Sequence, residues 1–331
     1  MSARISFSGN SFVSNKDESV LDCLSRNGVS VPHSCKSGVC QSCLMQVTAG
    51  EVPEAAKKGL KPTYIKQALF LACQCWPEQD LGVKLPDGGG IDTRGIIVGK
   101  EMLNQNVMRL VLMPEGEFTC EPGQYLTLIN DDGVARSYSV ANDPVGEGHI
   151  ELHIRLLKDG VMSNFLRDKA ELRGSVIVRG PAGNCFYVGE EDRDYPIVLA
   201  GTGTGLAPIY GVAKQALAQG HKGEIQLFHG ALQDVDLYLV PQLQKLAESH
   251  PNFHYAPCVL NGDTGKFYLP GNIEDIVMAA MPTDKARTRL FLCGAPEMVS
   301  ALKRKAFLSG LASKHIFADA FLPSKDMSIA S

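Results

Sequence analysis

Four cysteines constrain this chain more than anything else in it. Cys35, Cys40 and Cys43 are spaced C-x4-C-x2-C, and Cys73 follows after 29 intervening residues. Thiolates gathered in this way are soft ligands, which select iron–sulfur clusters or zinc. Zinc commonly takes two C-x2-C pairs. Here the second pair is C-x-C (Cys73, Cys75) and the first carries an extra cysteine upstream, so iron is the better fit. Two sulfide-bridged irons need four thiolates, three from a loop that wraps them and one from a distant segment. Gly38 in that loop allows backbone angles that a side chain forbids, so amides can turn toward sulfur and tune a potential. Cys73 and Cys75 both remain open as the fourth ligand.

The spacing resembles that of plant-type [2Fe–2S] ferredoxins. Leu71-Ala72-Cys73-Gln74-Cys75-Trp76-Pro77 is similar to the ferredoxin ending L-x-C-x-x-aromatic-P. That likeness implies Cys35, Cys40, Cys43 and Cys73 as the ligands and makes Cys75 a bystander. Strand-like ARISF, a short amphipathic helix over Ser19–Asn27 closed by Gly28, and strand-like CLMQVTAGEV flank the loop. Together they resemble a β-grasp ferredoxin over residues 1–86, and Pro86–Gly90 opens an expected linker over 87–92.

Strand-like RGIIVGKEML and VMRLVLM come next, then Pro122-Gly123-Gln124-Tyr125 and Arg136-Ser137-Tyr138-Ser139. P-G-Q-Y followed by R-x-Y-S resembles the antiparallel flavin-binding barrel of the ferredoxin–NADP reductase superfamily, here over 93–190. The likeness implies a guanidinium from Arg136 on cofactor phosphates, Tyr138 against the flavin ring, and Ser139 near the reactive nitrogen as a catalytic group. Glu151–Leu156 reads as a strand with His153 and Arg155 on one face, both expected at the cofactor. Gly160-Val161-Met162-Ser163 then opens a helix. Ser163 is its expected cap, and the first-turn amides are expected to meet a pyrophosphate. This second phosphate-facing element favours FAD over FMN.

Residues 191–331 read as a parallel-sheet α/β nucleotide-binding domain. An apolar strand, PIVLA, runs into Gly201-Thr202-Gly203-Thr204-Gly205-Leu206-Ala207-Pro208 and then a helical stretch, the arrangement that cradles phosphate. The run departs from G-x-G-x-x-G, because residue 206 is Leu. It resembles instead the G-x-G-x-[GA]-x-x-P form of the reductase superfamily, with Gly201, Thr202 and Gly203 at the dinucleotide. After the next strand Asp234 is expected at the adenosine ribose, and no Lys or Arg occurs between His229 and Lys245. A carboxylate there suits a free 2′-hydroxyl, so NADH is read over NADPH. Cys293-Gly294-Ala295-Pro296-Glu297-Met298 resembles the superfamily's C-G-x-P-x-M element. The likeness implies a catalytic Cys293 beside the nicotinamide carbon, with Gly294, Pro296 and Met298 in the same pocket. Phe321 is similarly implied to cover the flavin face.

Composition sets the outer bounds. The chain has 331 residues, enough for two or three domains. Its net charge of −4 argues against a nucleic-acid binder. No apolar run reaches a membrane span, and MSARISFSGN lacks a signal-like apolar core. The cytoplasm is the expected location, with thiols kept reduced. The order of segments resembles the NADH-dependent reductase components of bacterial multicomponent oxygenases. That resemblance implies a path from NADH through FAD and a [2Fe–2S] cluster to an oxygenase or hydroxylase component, directly or through a separate ferredoxin, from a monomeric chain. A flavin belongs between hydride and one-electron chemistry. The same build is also known in reductases serving a deoxysugar-forming dehydrase, which is the alternative. A non-enzymatic chain that has lost a cofactor is disfavoured by the intact cysteines and glycines.

Overall fold

A computed structural model describes residues 2–33, 36–38, 41, 43–86, 91–189 and 192–321. It divides into two compact units, Met1–Gly88 and Gly89–Ser331. Cys35, Cys40 and positions 87–90 of the expected linker lie outside the described residues.

The first unit is a five-stranded sheet of β1 (Arg4–Phe7), β2 (Asn10–Val13), β3 (Leu44–Ala49), β4 (Leu69–Leu71) and β5 (Leu81–Lys84), in the order β2-β1-β5-β3-β4. The β1–β5 pair is parallel and the other neighbours are antiparallel. Helix Val20–Arg26 starts where the Ser19 hydroxyl accepts from the Asp22 amide. It turns Val20, Leu21, Cys23 and Leu24 into a core with Ile5, Met45, Phe70 and Leu81.

The second unit begins with β6 (Ile91–Met102), β7 (Val107–Pro114), β8 (Tyr125–Ile129), β9 (Ala135–Ser139), β10 (Ile150–Arg155) and β11 (Ser175–Ala182). Their order is β10-β7-β6-β11-β8-β9, antiparallel throughout. A Val140–Leu152 bridge joins the end of β9 to β10 and closes the sheet on itself. The barrel starts earlier than the glycine-rich run suggests. Ile91 and Asp92, expected in the linker, are already paired with β11, and Asp92 forms an ion pair of 2.7 Å with Arg179.

The rest of this unit is a parallel sheet of β12 (Ile197–Thr202), β13 (Ile225–Ala231), β14 (Phe253–Val259), β15 (Leu269–Pro270), β16 (Arg289–Gly294) and β17 (Ile316–Ala320). The order is β15-β14-β13-β12-β16-β17. Strands buried on both faces need apolar runs without alternation, and every residue of β16 is buried. The chain builds outward from β12 to β15, then returns to the other side of β12 with β16. That reversal lies between β12 and β16, and open α/β sheets bind ligands at such a point, beyond the carboxyl ends of the strands.

Among the described residues, no helix is long and apolar enough to cross a membrane.

Candidate functional site

In the first unit Cys43 Sγ and Cys73 Sγ lie 3.3 Å apart, both buried. Cys43 enters from the start of β3 and Cys73 from the short turn after β4, so the β3–β4 pairing sets their approach. Burial pushes the Cys43 thiol up to about 11; a bound metal replaces the proton that burial retains. Gln74 Nε2 donates toward Cys73 Sγ at 3.6 Å. Gly38 sits at φ +81°, with the Gln74 side chain 3.0 Å from where its Cβ would stand. Cys75 lies in the core, its carbonyl accepting from the Val20 amide. Cys73 Sγ thus lies beside Cys43 Sγ, while Cys75 packs in the core.

On β9, Arg136 and Tyr138 share a face by strand alternation. Both are half-buried, and burial pushes the Tyr138 phenol up to about 12. Ser139 follows, buried, opposite Tyr125 of the P-G-Q-Y segment. Helix Val161–Asn164, continued by a wider turn over Phe165–Lys169, leaves the amides of Val161, Met162 and Ser163 without helical acceptors. Asn164 Oδ1 is buried there without a hydrogen-bond partner among the described residues. Free donors beside an orphaned acceptor suit a ligand carrying both phosphate and hydroxyl, as FAD does. Ser163 is not the cap expected of it. Gly160 holds that position, and the Ser163 hydroxyl instead accepts from the Leu157 amide and donates to the Gly160 carbonyl.

His153 and Arg155 do share a face, but that face meets the nucleotide-binding half. His153 is fully buried and both its ring nitrogens are engaged, Nε2 with Glu151 Oε1 at 3.0 Å and Nδ1 with the Tyr238 hydroxyl at 3.2 Å. It is therefore closed to direct contact with a flavin. Burial pushes the Glu151 carboxyl up, but hydrogen bonds from His153 and from Arg109, at 2.6 Å, outweigh it and bring it down to about 2. Burial also lowers His153, against the opposing pull of Glu151. A carboxylate only accepts, so Nε2 carries a proton toward Glu151, and Nδ1 meets the Tyr238 hydroxyl. The exposed Arg155 has its guanidinium 3.7 Å from where a Gly203 Cβ would stand, beside the glycine loop.

The nucleotide loops meet at the strand reversal. A Cβ on Gly205 would lie 2.2 Å from the Cys293 carbonyl oxygen, so the turn Gly203–Gly205 can touch β16 only without a side chain. The Thr202 hydroxyl accepts from the Ala295 amide at 3.0 Å. The Phe321 amide donates to the Gly294 carbonyl at 2.8 Å. Gly201, Thr202, Gly203, Cys293, Gly294 and Phe321 thus converge on one place. Pro296 opens helix Pro296–Leu308, and Met298 is buried in it. Cys293 Sγ lies 3.4 Å from Cys185 Sγ, which comes from the chain leaving the barrel. Asp234 stands exposed in the turn Asp234–Asp236 beyond β13. Sequence reasoning assigned no site role to Gly205, Cys185 or Tyr238. Only for Gly205, within a recognised glycine motif, was a local signal present.

Residues 4–78 match the 2Fe-2S iron-sulfur cluster binding domain family, 95–187 the oxidoreductase FAD-binding domain and 199–304 the oxidoreductase NAD-binding domain. The chain is 30% identical over 311 residues to the ferredoxin–NAD(P)+ reductase component of the naphthalene 1,2-dioxygenase/salicylate 5-hydroxylase systems of Ralstonia sp., covering 92% of this chain and 94% of that one. The chain belongs to the iron–sulfur flavoprotein reductases. Another of these reductases, the CDP-6-deoxy-L-threo-D-glycero-4-hexulose-3-dehydrase reductase of Yersinia pseudotuberculosis, is 29% identical over 96% of this chain and 97% of that one. Among solved structures, the Amycolatopsis cytochrome P450 reductase GcoB superposes with a TM-score of 0.68 at 29% identity, covering 97% of this chain and 99% of that one. Like other iron–sulfur flavoprotein reductases, this protein is an oxidoreductase that works with NADH, FAD and a [2Fe–2S] cluster.

Proposed function

We propose that the chain is the reductase component of an oxygenase system, taking electrons from NADH and delivering them singly to an oxygenase or hydroxylase. The observation that carries this is the end-to-end match with the Ralstonia reductase component. FAD held by the barrel would supply the step between a hydride's two electrons and a cluster of one-electron capacity. In this reading Cys43 and Cys73 hold the cluster with Cys35 and Cys40. Arg136, Tyr138 and the 161–163 amides hold the FAD, and Arg155 neutralises the dinucleotide pyrophosphate at Gly203. Cys293 and Ser139 border the reacting atoms, Phe321 covers the flavin, and Asp234 accepts from the ribose 2′-hydroxyl. The placement of Arg155 beside the glycine loop and the convergence of Gly205 on Cys293 support these roles. The working chain is a cytoplasmic monomer, with a ferredoxin, a barrel and a nucleotide domain in that order.

A plant-type cluster near roughly −400 mV feeding a Rieske centre at about −150 mV would release about 6 kcal/mol per electron. The Yersinia relative favours a second acceptor class, a deoxysugar-forming dehydrase. Anaerobic titration with NADH, followed by mixing with a Rieske oxygenase, a diiron hydroxylase or a dehydrase, separates them. Rapid reoxidation by an oxygenase component, with or without an added ferredoxin, is the expected result. Reoxidation by the dehydrase alone overturns the proposal.

A further inference from the structure

The turn after β13 is tied to the flavin barrel at two points on its C-terminal side. From the β6–β7 turn, Asn104 Nδ2 donates to the Asp236 carbonyl at 2.8 Å. Two residues on, the Tyr238 hydroxyl is hydrogen-bonded to His153 Nδ1 on β10 at 3.2 Å. The Tyr238 ring, 2% exposed, stands edge-on between the imidazoles of His153 and His229, with each centroid 5.4 Å away at 84°. Both anchors are themselves fixed. Asn104 Oδ1 accepts from the Asn106 and Val107 amides, and His153 is held by the Glu151–Arg109 pair. The chain then leaves sharply through Leu239 at φ +56°. Asp234 stands exposed on the turn just before these two anchors.

We infer that Asn104, His153 and Tyr238 are positioning residues for the dinucleotide. They form a clamp from the flavin barrel that holds residues 233–237 in the shape that presents Asp234 to the adenosine ribose. Selectivity for NADH is then set partly from the flavin half of the protein. The inference rests on the reading of Asp234 given above. A turn released from its anchors must be ordered anew on each binding event, which costs affinity. It also blurs the position of the carboxylate that excludes a 2′-phosphate. The loss falls equally on ground and transition states, so it raises KM and spares kcat.

The test is steady-state oxidation of NADH and NADPH by the full chain loaded with FAD and cluster, with ferricyanide as acceptor. Tyr238→Phe removes one of the two hydrogen bonds. Asn104→Asp removes the other while keeping the oxygen that accepts from Asn106 and Val107. Each variant should raise the KM for NADH about fivefold, the factor that one neutral hydrogen bond contributes to an equilibrium. The NADH-to-NADPH ratio of kcat/KM should fall by a similar factor, while kcat at saturating NADH stays within about twofold. A lowered unfolding midpoint with KM unchanged in both variants overturns the inference, as do equal losses for NADH and NADPH. Asp234→Ala runs alongside. If it shifts the coenzyme ratio and the clamp variants do not, the clamp fails and the ribose reading stands. If it leaves the ratio unmoved, the ribose reading fails and the clamp's role in selectivity goes with it.

Discussion

His229 should make this protein lose stability in mild acid. It is fully buried on β13, its Nδ1 3.2 Å from the Tyr255 hydroxyl and its Nε2 without a partner among the described residues. Burial, reinforced by the neighbouring His153, pushes its pKa from 6.5 down to about 3. A group depressed in the folded state costs nothing above its unfolded value and destabilises as pH falls toward its folded one. In the unfolded chain the imidazole takes up a proton near pH 6.5, which the folded protein refuses until about 3. Between pH 7 and pH 5 only the unfolded value matters, and at 1.36 kcal/mol per pH unit the cost comes to about 2 kcal/mol. His229→Gln removes the titration but keeps a polar group of similar reach. The assay is anaerobic urea unfolding of the full chain by far-UV circular dichroism at both pH values. His153 and His221, also lowered by burial, titrate alike in both proteins and cancel. The variant is less stable at pH 7, and that gap should narrow by about 2 kcal/mol at pH 5. An identical loss in the two proteins refutes the reasoning.

Three other substitutions have definite expected outcomes. Cys73→Ser should abolish the visible absorbance of the cluster and electron delivery to protein acceptors, while NADH oxidation by ferricyanide persists. Cys75→Ser should keep the cluster spectrum and lower only the unfolding midpoint, since that thiol sits in the core; the reverse pattern refutes the ligand assignment. Gly205→Ala sets a methyl 2.2 Å from the Cys293 carbonyl. It should cost about 2–3 kcal/mol, as overpacking does, and lower NADH oxidation at least tenfold at unchanged FAD content; turnover within twofold of the parent refutes the contact.

What could be read from the sequence was whatever lies within a few residues of itself. The cysteine loop and the glycine loop carry their chemistry in local spacing, so both could be placed before any fold was known. The PIVLA run likewise announced a strand of the parallel sheet. The roles of His153, Tyr238 and Cys185 were hidden, because their partners are 85 and 108 residues away in the chain. Alternation correctly put His153 and Arg155 on one face, but it carries no information about what that face meets. Ser163 misled for a different reason: a serine near a helix start suggests a cap, and here the hydroxyl is taken up by Leu157 and Gly160. The start of β6 at Ile91 was masked by the glycines before it.

Where β12 meets β16, main chain is laid on main chain. Gly205 rests on the Cys293 carbonyl, and a Cβ on Gly294 would lie 2.6 Å from the Thr202 carbonyl oxygen. Neither loop can drift alone, since any enlargement on one side needs a matching retreat of backbone on the other. The side chains from Leu232 to Val235 face solvent instead, so new shapes can be tried there without disturbing that packed backbone.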